Sequence, residues 1–260
     1  MPSWALHRKW GIRICGFYSE EIDKLIDKEE EHDAGRYDVE VFLKQIEYVQ
    51  RNYGMKGVEY YLLHHLLDRL KDELVSMATR HKGSIDIKDV EAALKWLKID
   101  PFYNVSEYEP LWEELKSKVR PFLRELVKDI VSEESFRRSY RRSQVNSYVS
   151  RLVDYFIGIL PPCIKRKDPK INILKSLAQS YAMGSVWEYI RSLNGRPIDL
   201  NRLQLIVEES VAKAVKEECF YDIKNCTHNC KPEYIDEISW RKFLRKLNVP
   251  CMRNHKTKSS

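Results

Sequence analysis

Between residues 57 and 83 the chain reads GVEYYLLHHLLDRLKDELVSMATRHKG, and its apolar residues return at every third or fourth position throughout. That period lines one side of an α-helix, and a strand, whose side chains alternate, has no use for it. A stretch this long leaves little choice of architecture. The neighbouring run YDVEVFLKQIEYV, residues 37–49, has the same spacing, so a helix is predicted there too. With only nine glycines in 260 residues, and 32% of residues charged, the rest of the chain also favours helices over a turn-rich sheet.

Local signals place the ends of these elements. Gly83 is the expected C-cap of the long helix, and Ser84 or Asp86 the expected N-cap of the next, in SIDIKDVEAALKWLKI. Pro121 should kink the helical run LWEELKSKVRPFLRELVKDIVSEESFRRSYRRS or begin a new helix within it. QVNSYVSRLVDYFIGIL then reads as helix up to Pro161 and Pro162, which mark a domain boundary because a residue before proline is pushed out of helical geometry. Beyond it lie NILKSLAQSYAMGSVWEYIRSLN, DLNRLQLIVEESVAKAVKEEC and SWRKFLRKLNV, all helical in pattern. One short strand is expected near GIRICGFY, residues 11–18. The predicted fold is mainly α, with a helical N-terminal domain over residues 1–155 and a smaller helical domain over 156–260.

Charge is uneven along the chain. The net charge is +6, with acid concentrated in EEIDKLIDKEEEHD and base in RRSYRRS, KRKDPK and the closing MRNHKTKSS. The second half is therefore the better match for a polyanion. No run of apolar residues is long enough to span a membrane. The N-terminus has Trp4, Trp10 and scattered base where a secretory signal would have a continuous apolar run, so a cytoplasmic, reducing location is expected.

In that setting the cysteines invite a metal. Cys219, Cys226 and Cys230 are spaced C-x6-C-x3-C, the last two on a loop rich in polar residues where thiolates can converge. A zinc ion or an iron–sulfur cluster needs four soft ligands. The fourth is Cys163, Cys251 or His228. The absence of a C-x2-C knuckle tilts the choice from zinc towards iron. Cys15, inside the apolar run IRICGF, is expected to be an ordinary buried hydrophobe.

The element PPCIK at residues 161–165, followed by a helical segment and then the tight cysteine group, resembles the large subunit of the archaeal and eukaryotic DNA primase. The resemblance implies a 4Fe–4S cluster held by Cys163, Cys219, Cys226 and Cys230, with zinc as the alternative. It also implies that the long helical region from Glu59 to Ile99 docks a catalytic small subunit. The chain itself would then be no enzyme. It would position single-stranded DNA template and the initiating nucleoside triphosphate while the partner joins nucleotides. The residues agree in one respect: there is no Gly-rich phosphate loop and no paired-carboxylate motif in a catalytic setting.

Two basic groups suit nucleic acid. Arg137, Arg138, Arg141 and Arg142 share one helix face, and no acid occurs between residues 135 and 153 to pair with them. Tyr140 and Tyr148 are close enough in sequence to stack on bases. Lys165, Arg166 and Lys167 directly follow the first proposed ligand and would meet phosphate. Trp187 and Tyr189 read as core, as does the stripe from Tyr60 to Leu70, which would serve equally as a subunit interface.

Two other readings compete. One is a zinc-stapled nucleic-acid-binding protein with no primase role. The other is a metal-dependent phosphohydrolase of the helical HD type, because His32–Asp33 in EHDAG is similar to that family's His–Asp pair and His64 and His65 offer more imidazole. His64 and His65 are nevertheless expected at the edge of a packed helix, and this reading leaves the cysteines unexplained.

Overall fold

The computed structural model describes residues 3–27, 38–99, 106–160 and 168–218, and every regular element among them is helical. They divide into two compact units, Met1–Gln144 and Val145–Ser260. The division falls inside one helix, as does the boundary expected at residue 155.

The first unit opens with α1, Trp4–Cys15. The Ser3 hydroxyl caps it by accepting from the Leu6 amide at 3.2 Å, and Gly16 closes it with φ 65°, a conformation that favours glycine. The strand expected near GIRICGFY is thus a helix. Ile12 and Ile14 alternate as in a strand, but Leu6, His7, Trp10, Gly11 and Cys15 fall on one buried face at helical spacing. Helix α2, Glu20–Ile26, is capped by Ser19 and carries Glu20, Glu21 and Asp23 in its first turn, where the helix dipole favours acid.

Helix α3, Val39–Arg80, is the axis of the unit. Asp38 caps it, accepting from the amides of Glu40 and Val41. Gly54 interrupts it with φ 64° and ψ −163°, dividing it into the two helical runs expected from the sequence. Residues 60–68 are buried without a gap, so neighbouring helices surround this part of α3 on all sides. At its C-terminus Lys82 takes the left-handed seat, one residue before the expected Gly83. The Gly83 amide then bonds the Ala78 carbonyl at 2.7 Å.

Helix α4, Ile87–Trp96, is capped by Asp86. Its C-terminal carbonyls are covered by α5, Glu109–Val119: the Lys116 ammonium donates to the carbonyls of Lys95 and Leu97 at 3.0 and 3.1 Å, and the Trp112 indole donates to Leu97 at 2.9 Å. Pro121 sits in a single 3₁₀ turn, Arg120–Phe122, that starts α6, Leu123–Ser132. Extended Glu133 then separates α6 from α7, Glu134–Gly158. The side chain of Glu133 receives the Ser3 amide at 2.8 Å, which explains a break that has no proline or glycine.

Helix α6 also holds α1 in place. Asp129 accepts from Lys9 and from the Trp10 indole, at 2.5 and 3.0 Å, while Arg13 pairs with Glu125. The core of the unit runs through Trp10, Ile22, Tyr60, Leu66, Trp112 and Ile130. The expected core role of the Tyr60–Leu70 stripe is observed, and Cys15 is buried as expected.

In the second unit, the later turns of α7 pack with α8, Asp168–Ser192, and α9, Leu200–Glu218, around Val149, Val153, Ala178, Val186, Val207 and Val211. Trp187 is half-buried, its indole donating to Asn146 at 3.2 Å, and Tyr189 packs against the same cluster. No helix among the described residues is long and apolar enough to cross a membrane.

Candidate functional site

The chemically densest place in the first unit lies where α1, α2 and the middle of α3 meet. His64 and Asp68 stand one helical turn apart on α3, which puts both on one face. His7 enters from α1, and its ring stacks on that of His64, with centroids 3.7 Å apart and 21° between planes. Asp23 and Asp27 come from α2 and the residue that caps its end. His7, Asp23, His64 and Asp68 are each at most 2% exposed.

His64 is the hub of this group. Its Nδ1 lies 2.9 Å from Asp23 Oδ1, and the same oxygen accepts the Tyr60 hydroxyl at 2.6 Å. Its Nε2 faces Asp68 Oδ2 at 3.5 Å and Asp27 Oδ1 at 3.6 Å, each too long for a hydrogen bond of ordinary strength. Burial works against a charge on this ring, but Asp68, Asp23 and Asp27 outweigh it and push its pKa up to about 10. The carboxylates thus favour the protonated form of this ring.

His7 behaves in the opposite way. Burial, and then the positive neighbour His64, hold its pKa well below the usual histidine value, so its ring is neutral. Neither ring nitrogen has a hydrogen-bond partner among the described residues, although Nε2 comes within 3.7 Å of Asp68 Oδ1. Donor atoms of His7, His64 and Asp68 all lie within 4.8 Å of one another, as a metal ion would require.

The placement of His64 and His65 corrects the sequence reading. Neither is at the edge of a packed helix, because the middle of α3 has no solvent face. His65 packs edge-on against Tyr61, with ring centroids 4.7 Å apart. The sequence did carry one signal for the cluster: His64 and Asp68 at i, i+4 beside an acid, Asp23, on the apolar face of α2. His7 had none, since its role depends on the packing of α1 against α3.

The arginines predicted to meet nucleic acid lie on α7. Arg137, Arg138, Arg141 and Arg142 are all exposed. Arg137 is 4.0 Å from Glu134, one turn earlier, and this contact is exposed and weak. The two nearby tyrosines are engaged elsewhere. Tyr140 stacks on Phe136 and its hydroxyl accepts from Gln144 at 2.9 Å, while Tyr148 packs against the core of the second unit. Both rings are half-buried. Tyr189 lines an open groove of about 650 Å³ between α8 and α9, beside Glu188, Arg202, Glu209 and Lys213.

Cys163, Cys219, Cys226, Cys230 and Cys251 lie outside the described residues, as do His228, Lys165, Arg166, Lys167 and the His32–Asp33 pair. Compared with known protein families, with curated proteins and with solved structures, the chain matches none.

Proposed function

We propose that the chain is the non-catalytic large-type subunit of a primase, a helical scaffold that binds single-stranded DNA and serves a separate catalytic chain. The observation that carries this reading is the exposed arginine face of α7. Four guanidinium groups project from two successive turns, with no acid between residues 135 and 153. Such a face attracts phosphate regardless of base sequence, releasing counterions as it binds. The resemblance around Cys163, Cys219, Cys226 and Cys230 supplies the other support. It gives the C-terminal part a 4Fe–4S cluster, with zinc as the alternative, whose role would be to hold distant segments together.

On this reading the division of labour is simple. The arginines, and Lys165, Arg166 and Lys167 after the first cysteine, position the template strand. The helical first unit docks a catalytic small subunit, which supplies the nucleotide-joining chemistry. The test is a salt titration of single-stranded DNA binding for the wild type and for the variant with Arg137, Arg138, Arg141 and Arg142 changed to Ala. The variant should bind more weakly, with a shallower dependence on salt. An unchanged slope reassigns the arginines to a protein partner or to solvent.

The buried His7, His64 and Asp68 group favours a second reading, a metal-dependent phosphohydrolase of the HD type. That chemistry needs a metal open to water and substrate. The three side chains are closed off from solvent, and for that reason the reading ranks second.

A further inference from the structure

We propose that His7, His64 and Asp68 hold a single divalent ion of the zinc class inside the first unit, with Asp27 beside His64. The ion would join α1 to α3. This proposal is independent of the primase reading and of every cysteine.

Geometry is the first argument. Ligand atoms of a tetrahedral zinc site, each about 2.0–2.1 Å from the metal, stand about 3.3 Å from one another. Here His64 Nε2 is 3.5 Å from Asp68 Oδ2 and 3.6 Å from Asp27 Oδ1, and His7 Nε2 is 3.7 Å from the other Asp68 oxygen, Oδ1, so Asp68 would offer one oxygen to each histidine's side. These separations are long for hydrogen bonds and close to the edges of such a tetrahedron. To complete it, one imidazole must also turn out of the stack, because each Nε2 lone pair lies in its ring plane and the two planes are only 21° apart.

His7 is the second argument. An imidazole with both nitrogens buried and unpartnered is rare, because each loses its hydrogen bonds to water and gains nothing in return. A bound cation would give Nε2 a partner once the ring turns out of its stack on His64.

The surroundings of His64 are the third. Histidines that bind metals commonly donate their remaining ring N–H to a carboxylate, which fixes the tautomer and aims the other nitrogen at the metal. Asp23 does this on Nδ1, and Tyr60 holds Asp23 in turn. The donor set then selects the ion. Two imidazoles with carboxylates suit zinc and its neighbours, whereas magnesium and calcium take oxygen ligands. With all these groups buried, the centre is closed and structural, unlike a catalytic site that keeps one position open.

Cobalt(II) is the probe, because its visible spectrum separates this site from the cysteines. The full-length chain, freed of metal and titrated with cobalt, should take up one equivalent showing the ligand-field bands of nitrogen and oxygen ligands, separate from any uptake by the cysteines that brings thiolate-to-cobalt charge transfer. His7→Phe keeps the ring stacked on His64 but removes the ligand, so it should lose that equivalent while any iron and sulfide content stays the same. Chelation should lower the melting temperature of the wild type by more than that of His7→Phe, which keeps only whatever the cysteines hold. A wild type that binds no cobalt, or binds it only with thiolate bands, overturns the proposal, and this holds even if His7→Phe does not fold. An unchanged cobalt spectrum in a folded His7→Phe overturns it as well.

Discussion

Asp23 and His64 are joined at 2.9 Å across the interface between α2 and α3, both wholly buried, and the Tyr60 hydroxyl binds the same aspartate oxygen. A bond to a buried charged group is stronger than a neutral one. Tyr60→Phe removes this donor while keeping the ring, and should cost about 1.5–3 kcal/mol in urea denaturation. If Asp23→Asn is already present, the further loss should be much smaller. Full additivity of the two changes would mean that they do not act on one network.

Gly11 lets α1 lie close against α3. A Cβ placed there would run into the Tyr60 ring and would come within 2.8 Å of the Phe17 carbonyl oxygen. Gly11→Ala should therefore destabilise the first unit by about 1–3 kcal/mol, as overpacking does, even though alanine is the better helix former. A stabilised Gly11→Ala protein would show that α1 can retreat at no cost.

Lys116 is only 4% exposed, and its ammonium covers the open end of α4 through two carbonyl bonds while pairing with Glu113 at 2.6 Å. Lys116→Met keeps most of the packed volume, removes the donor from the Lys95 carbonyl and leaves Leu97 with the Trp112 indole alone. The expected loss is about 2–3 kcal/mol. Hydrogen exchange should also quicken in the last turn of α4 before it quickens elsewhere.

The Arg13–Glu125 pair predicts a dependence on pH. The bond from Arg13 holds the Glu125 carboxyl below its ordinary value. A group whose folded pKa is lowered stabilises the fold above its unfolded pKa, and that contribution is lost as pH falls through the folded value. Glu125→Gln should thus be slightly less stable than the wild type at pH 7, with the gap closing below roughly pH 4. The effect should be small, and smaller still in high salt, because the pair is exposed. A gap that widens in acid would contradict this.

Burial pushes the Cys15 thiol up to about 12, so almost no thiolate exists near neutrality. Peptide mapping after brief alkylation of the native chain should find Cys15 unmodified, and rapid labelling should appear only in denaturant. Labelling of Cys15 in the folded protein would mean that α1 opens readily.

Much of the architecture was legible because helical period is a local property. Both runs of α3, the Asp86 cap and the restart at Pro121 follow from spacing and from residues with fixed backbone preferences. The errors arose where a long-range contact decides. Glu133 breaks a helical run where it meets Ser3, and the alternation of Ile12 and Ile14 gives way to the buried face of α1. The same limit applies to the buried cluster. His64 and Asp68 announce themselves by spacing, but His7 becomes a possible ligand only once α1 has packed on α3.

The central claim is that this chain assists a polymerising partner and does not itself join nucleotides. It is tested most directly by co-expression with a primase-type catalytic small subunit, followed by a primer-synthesis assay on single-stranded template. The account predicts a stable complex that starts primers which neither chain starts alone, and weaker initiation when Arg137, Arg138, Arg141 and Arg142 are replaced by Ala. Failure to form a complex, or initiation by the small subunit that is the same with and without this chain, would contradict it.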